Sequence, residues 1–224
     1  MSTTPMQLPV VPRQKPVVEI HRTDDFEITG RGTHPAWNAV ASVPMIPRQQ
    51  LDRPELYTTW FKSLWSPRGI YFFIDCGDPK LSAQDMPNFS NLFIQDVVEI
   101  FLWPDTSTPL YFEYQVSPYG KELAILVPNF DRRFHGWMPW HYEDNRVTRH
   151  ATNVRGGPAQ PGATITGWSA EAFIPSTLLT PLRNAQPAPG VTWRAKLITR
   201  DSRAASPRER RRSTNLSPLE RRMR

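Results

Sequence analysis

DVVEIFLWPDTSTPLYFEYQV, residues 96–116, sets two apolar runs, Val97 to Trp103 and Leu110 to Val116, either side of a spacer holding Pro104, Asp105, Ser107 and Pro109. Turn formers between two β-rich runs predict an antiparallel hairpin. Side chains alternate across a strand, so symmetric closure puts Val98, Ile100 and Leu102 on one face with Phe112, Tyr114 and Val116. That face is core. The opposite face then sets Glu99, Phe101 and Trp103 against Gln115, Glu113 and Tyr111. Rings mixed with carboxylate and amide acceptors suit a polyol, whose C–H patches lie on aromatic planes while its hydroxyls donate to the acceptors. The competing reading is a plain outer sheet face with cross-strand pairs worth about 0.2 to 1 kcal/mol each, and alternation alone favours it.

Upstream, Tyr57 to Trp65 and Gly69 to Cys76 are joined by Ser66, Pro67 and Arg68, which predicts a second hairpin. Ile70, Phe72 and Ile74 alternate with Tyr71, Phe73 and Asp75, so both faces are largely apolar and the strand is expected to be central in its sheet. Val17 to Ile20 is expected as a short first strand, and Trp37 as a core anchor in either a helical turn or a strand start. Downstream, Pro118, Tyr119 and Gly120 predict a turn, Leu123 to Val127 a strand, and Asn129 to Gly157 a long irregular stretch. Trp137, Trp140 and Tyr142 in that stretch either cap the core or line a groove. Strands are expected again in Thr164 to Ile174 and in GVTWRAKLITR, residues 190–200, with a short helix-like STLLTPL between them.

Twenty-four prolines in 224 residues are about twice the usual share and exclude a mostly helical chain. Eight Trp, eleven Phe and six Tyr provide a core for one domain. Cys76 is the single cysteine, so no intrachain disulfide exists and a buried thiol is expected. The net charge of +6 is confined to the end of the chain: nine Arg and three acids lie between Arg200 and Arg224, while residues 1–199 carry 18 basic and 18 acidic side chains. A basic tail binds polyanions weakly and salt-dependently; it does not read a nucleic-acid sequence, so no specific nucleic-acid partner is expected. Residues 1–16 read as an extended lead-in without an export signal, and no apolar run is long enough to span a membrane. Residues 202–224, where Leu216 and Leu219 are the remaining anchors, are expected to be a disordered or loosely held tail.

Catalytic constellations are few. The sequence has no glycine-rich phosphate loop, no nucleophile elbow and no histidine pair at metal-binding helical spacing. Asp96 and Glu99 are the best carboxylate pair, but residues three apart on a strand project to opposite faces, which argues against a shared reaction site. His135 and His141 lack further ligands in sequence. Asp75 and Asp78 permit a structural calcium, although their usual role is turn chemistry.

The ordered blocks HPAWNAV, LWSPRGIYFFIDCGD, QDVVEIFLWPD, YFEYQVSPYG, GWSAEAFIP and GVTWRAKLITRD resemble the family-9 carbohydrate-binding modules and their family-9-like relatives over residues 17–201. The resemblance implies an all-β fold, an antiparallel jelly-roll-like sandwich with long loops and at most short helices. It also implies non-catalytic binding of a mono- or oligosaccharide, a glycoside hydrolase partner, and an exported or cell-surface setting in polysaccharide-degrading bacteria. Glu99 matches the family's ligand-contacting glutamate, and Gln115 stands where an amide contacts sugar. Phe93 occupies the place of the first of two ring-sandwiching tryptophans, and Glu113 that of an arginine. STNLSPLE, from Ser213, resembles the lead-in to a closing segment that carries the second tryptophan, and a truncated or frame-shifted end is expected. Trp103, Trp137 or Trp140 would then supply the stacking surface. The expected ligand-binding set is Glu99, Gln115, Phe93, Trp103 and Glu113.

Overall fold

A computed structural model describes residues 16–45 and 54–200; apart from Pro16, the expected lead-in and tail lie outside the described residues. The strands are β1 (His21–Arg22), β2 (Val43–Met45), β3 (Thr59–Ser66), β4 (Gly69–Gly77), β5 (Val97–Trp103), β6 (Leu110–Val116), β7 (Glu122–Pro128), β8 (Met138–Pro139), β9 (Arg149–Arg155), β10 (Gly167–Pro175) and β11 (Arg194–Arg200). Helical structure among the described residues is limited to short 3-10 turns such as Pro35–Ala39 and Leu92–Ile94. No described helix is long and apolar enough to cross a membrane.

The strands form two sheets, an all-β sandwich as expected. Sheet one runs β1-β3-β4-β10-β9 with β2 also on β3, and sheet two runs β11-β5-β6-β7-β8. All pairs are antiparallel except β1, which lies parallel to β3 through His21↔Leu64. Both predicted hairpins form, β5–β6 in the expected register, and β4 is central, between β3 and β10. Between the sheets, Ile70, Phe72, Ile74 and Cys76 of β4 with Trp168, Ala170, Ala172 and Ile174 of β10 pack on Val98, Ile100, Leu102, Phe112, Tyr114, Val116, Ala124 and Leu126. Period-2 alternation produces this layer, and burial of each large apolar side chain is worth about 1.5 to 3 kcal/mol. Burial also raises the Cys76 thiol well above its ordinary range.

The outer face of sheet one is covered by the chain itself. Phe26 and Trp37 pack on Leu64, Tyr71, Phe73 and Phe173. The tether beneath them is Glu171, fully buried on β10, whose carboxylate accepts hydrogen bonds from Thr29 N (2.6 Å), Gly30 N (2.5 Å) and Trp37 Nε1 (2.6 Å). Gly30 is required there. Its φ is +79°, and a Cβ would fall 2.7 Å from Thr152 N.

A second buried carboxylate joins the sheets at one edge. Glu122 of β7 accepts from Tyr114 Oη (2.7 Å), Thr148 Oγ1 (2.6 Å) and the Tyr142 hydroxyl. His150 of β9 sets Nδ1 3.2 Å from Glu122 Oε2, an ion pair off the line of a hydrogen bond, while Nε2 lies 2.9 Å from Gly120 O. Two acceptors facing the two ring nitrogens select the imidazolium. Burial pushes the Glu122 carboxyl up, but the contacts from His150, Thr148 and Tyr142 outweigh it and hold it at about 2. His150 is opposed by burial and raised overall by Glu122.

Three expectations needed correction. Pairing begins at His21 and not in Val17 to Ile20: among the described residues no strand pairs with that segment, and Val17 stands 91% exposed. The stretch from Asn129 to Gly157 contains β8 and β9; RHATNVR is a half-buried edge strand, so it lacks the apolar alternation that announces one. STLLTPL is a run of turns closed by Leu178 N to Pro175 O, Leu179 N to Ser176 O and Leu182 N to Leu179 O, with all three leucines buried.

The Glu122–His150 contact sets a pH window. Glu122's contribution is complete above its ordinary 4.5 and lost as pH falls toward about 2; His150's is complete below its ordinary 6.5 and lost as pH rises through its raised folded value. The edge is therefore tightest between about pH 4.5 and 6.5. Urea unfolding of Glu122→Gln at pH 6 should show a loss of roughly 3 kcal/mol, and a variant as stable as the parent would exclude this tie.

Candidate functional site

The outer face of sheet two follows from the register of three strands. Glu99 pairs with Gln115 and Phe101 with Glu113, and β11 adds Ile198 opposite Glu99, Lys196 opposite Phe101 and Arg194 opposite Trp103. Directly opposed residues of antiparallel strands share a face. The structure thus brings together Glu99, Glu113, Gln115 and Trp103 of the expected set and flanks them with cations of β11.

The acceptors form one hydrogen-bonded cluster. Gln115 Nε2 donates to Glu113 Oε1 at 2.6 Å and to Glu99 Oε1 at 3.4 Å, one amide nitrogen serving two carboxyls. All three side chains are deeply placed, with 3% of Glu99, 8% of Glu113 and 1% of Gln115 exposed. Arg200 closes one side, its Nε 3.5 Å from Glu99 Oε2. Gln115 Oε1 is buried without a hydrogen-bond partner. Burial raises Glu99 and, more strongly, Glu113, which reaches about 7 despite the hydrogen bond from Gln115, with the neighbouring Glu99 charge adding to the rise.

Aromatic rings border the cluster. The Phe101 and Tyr111 ring centres are 6.1 Å apart and those of Trp103 and Tyr111 6.5 Å. Trp103 is committed elsewhere: its Nε1 donates to Thr108 O at 2.8 Å, and the Arg194 guanidinium lies 5.5 Å from its ring centre. Phe93 sits half-buried on the Leu92–Ile94 turn ahead of β5. Trp137 covers the apolar continuation of this face, packed on Leu92, Val97, Leu123, Ile125 and Val127. Trp140 and Tyr142 cap the main core, Trp140 with its Nε1 on Leu178 O at 3.1 Å.

The other sequence candidates are engaged locally. Asp96 is fully buried and accepts from Ser82 N at 2.5 Å, which ties down the preceding loop. Asp75 pairs with Arg155 at 2.8 Å, and Asp78 accepts from Lys80 N in a turn. His141 packs on Phe89, and His135 contacts Phe130 O. Among the described residues no group of three or more His, Cys, Asp or Glu is gathered to hold a metal ion. Sequence reasoning missed Arg194, Lys196 and Arg200. Their alternation in RAKLITR is visible, but the pairing of β11 with β5 is a long-range event that no local pattern announces.

The Glu113 carboxyl gives a test of this geometry. Its folded value of about 7 lies above the ordinary 4.5, so the folded state holds the extra proton and stability falls as pH rises from 4.5 through about 7. Glu113→Gln keeps the shape and removes the titration. Thermal or urea unfolding should show the variant gaining on the parent by roughly 3 kcal/mol between pH 4.5 and 8, and parallel pH profiles would refute the assignment.

No family profile matches the chain, and no curated protein matches it in sequence. Solved structures do match it. A candidate carbohydrate-binding protein of Bacteroides uniformis superposes with a TM-score of 0.62 at 13% identity, covering 82% of this chain and 83% of its own. A family-9 carbohydrate-binding module of Caldicellulosiruptor kristjanssonii, in complex with cellotriose, gives 0.52 at 19% identity, with 82% of this chain and 76% of that one covered. The same organism's module in complex with glucose gives 0.50 at 19%, with 83% and 80% covered. The sandwich described above is therefore the fold of the family-9 carbohydrate-binding modules.

Proposed function

We propose that the outer face of sheet two binds a saccharide without chemistry. The observation that carries this reading is the Glu99–Gln115–Glu113 cluster: two carboxyls and an amide, buried among Phe101, Tyr111 and Trp103, with the amide oxygen of Gln115 unpartnered. An unpaired buried acceptor costs about 1 to 3 kcal/mol, and a ligand hydroxyl relieves it. Sugar hydroxyls are donors at the spacing such a cluster presents, and the rings supply apolar walls. Two sugar-bound structures with this fold support the reading.

Catalysis does not fit the same residues. Glycosidases hold two carboxyls on either side of a scissile bond with room between them for sugar or water. Here one amide nitrogen of Gln115 fills the space between Glu99 and Glu113. The role proposed is recognition in polysaccharide breakdown, with a glycoside hydrolase as the functional partner. A second reading, a docking or structural domain with no sugar of its own, is favoured by one observation: Glu99 is already paired with Arg200 and Trp103 already covered by Arg194.

Isothermal titration with a panel of mono- and oligosaccharides separates the two. Binding by the parent chain is expected, with Glu99→Ala lowering affinity at least tenfold, about 1.4 kcal/mol. A folded parent that binds nothing on the panel would favour the docking role, and a Glu99→Ala protein that binds as well as the parent would remove this site. Turnover of an aryl glycoside by the purified chain would overturn the non-catalytic assignment.

A further inference from the structure

We propose that the saccharide taken by this face is acidic, with a uronosyl carboxylate seated on Arg194 and Lys196 beside the Glu99–Gln115 cluster. This rests on the saccharide reading above and names its ligand class. β11 is the edge strand of sheet two, and its pairing with β5 directs Arg194 and Lys196 to the same side as the acceptors. The Arg194 guanidinium lies 5.5 Å from the Trp103 ring centre and the Lys196 ammonium 5.4 Å from that of Phe101. Both side chains are exposed and neither is in ion-pair contact with a described carboxylate; the Lys196 charge reaches Glu99 and Glu113 only at longer range, whereas Arg200 is paired directly with Glu99.

The rings restrict the two cations without neutralising them. A guanidinium laid on an indole keeps its N–H edge free, and that edge matches a carboxylate with two parallel hydrogen bonds. Alternate residues of a strand are about 6.7 Å apart, within the joint reach of two long side chains for one anionic group. A neutral sugar gains little from either cation and loses the Trp103 plane that Arg194 occupies. The acceptor cluster does not repel an anion strongly, because Arg200 and Lys196 offset Glu99 and burial raises the Glu113 carboxyl to about 7, leaving it largely neutral in mildly acidic buffer. The cluster receives the hydroxyls and β11 receives the carboxylate.

Titrate the purified chain with an oligogalacturonate and an oligoglucuronate, each beside the same oligosaccharide after its carboxyl groups have been reduced to alcohols. The acidic forms are expected to bind about tenfold more tightly. That advantage should disappear in an Arg194→Gln/Lys196→Gln protein, whose substitutions are exposed, and at about 0.5 M salt. Equal affinity for acidic and reduced forms overturns the acidic-ligand assignment and leaves the saccharide reading standing. Binding of neither form by the folded parent overturns the acidic-ligand assignment, and the saccharide panel above then decides whether the saccharide reading stands. An oligothymidylate that binds as tightly as the uronates in the same buffer identifies a general polyanion surface and also overturns the assignment.

Discussion

Everything on the candidate face depends on the register of β5 against β6. Val98 faces Val116, and Glu99 faces Gln115. A slip of β5 by one residue would exchange its two faces, turning Val98, Ile100 and Leu102 to the outside and pressing Glu99 between the sheets. Each of those apolar side chains contributes about 1.5 to 3 kcal/mol by its burial, so the core fixes the pairing and the acceptors are carried with it. The geometry of the site is thus determined by residues that never touch it.

The buried carboxylates differ in how completely they are satisfied. Glu171 has backbone amides and an indole N–H, and Glu122 has hydroxyls and an imidazolium. Glu113 shares one amide nitrogen with Glu99, and its carboxyl stays near 7. Buried polar groups are normally paired, and sites that break the rule tend to be functional. Gln95 Nε2, Tyr119 Oη and His150 Nδ1 are also buried without a hydrogen-bond partner, but on the outer face of sheet two the shortfall falls on two carboxyls and an amide together. Glu171 and Glu122 hold the fold together, while Glu113 and the unpartnered Gln115 oxygen leave room for something to be added.

Much of the fold was legible because alternation with period two and turn residues are local signals. They placed β5–β6 in register residue by residue, identified its core and acceptor faces, and joined β3 to β4 as a hairpin. β9 was missed because an edge strand half in water needs no apolar alternation. The strap from Phe26 to Trp37 and the arrival of β11 beside β5 depend on pairings distant in sequence, so their side chains gave no local sign of where they would meet. Glu99, Gln115 and Glu113 were legible as one face, but their burial was not, since Arg200 comes from β11. Trp103 read as a free stacking plane; Arg194 lies over it, which sequence alone could not show.

The strap across sheet one has a consequence for valency. With Phe26, Trp37 and the Glu171 tether lying over that face, the described residues leave the outer face of sheet two as the open one, and on the proposed reading a polymer would be met from one side. Retention on a long chain of repeating units then grows by joining copies rather than by adding contacts to one, with the gain set by the effective concentration that a linker imposes. A single module of this kind can exchange quickly along a polymer, and the number of copies held together determines how long the assembly stays.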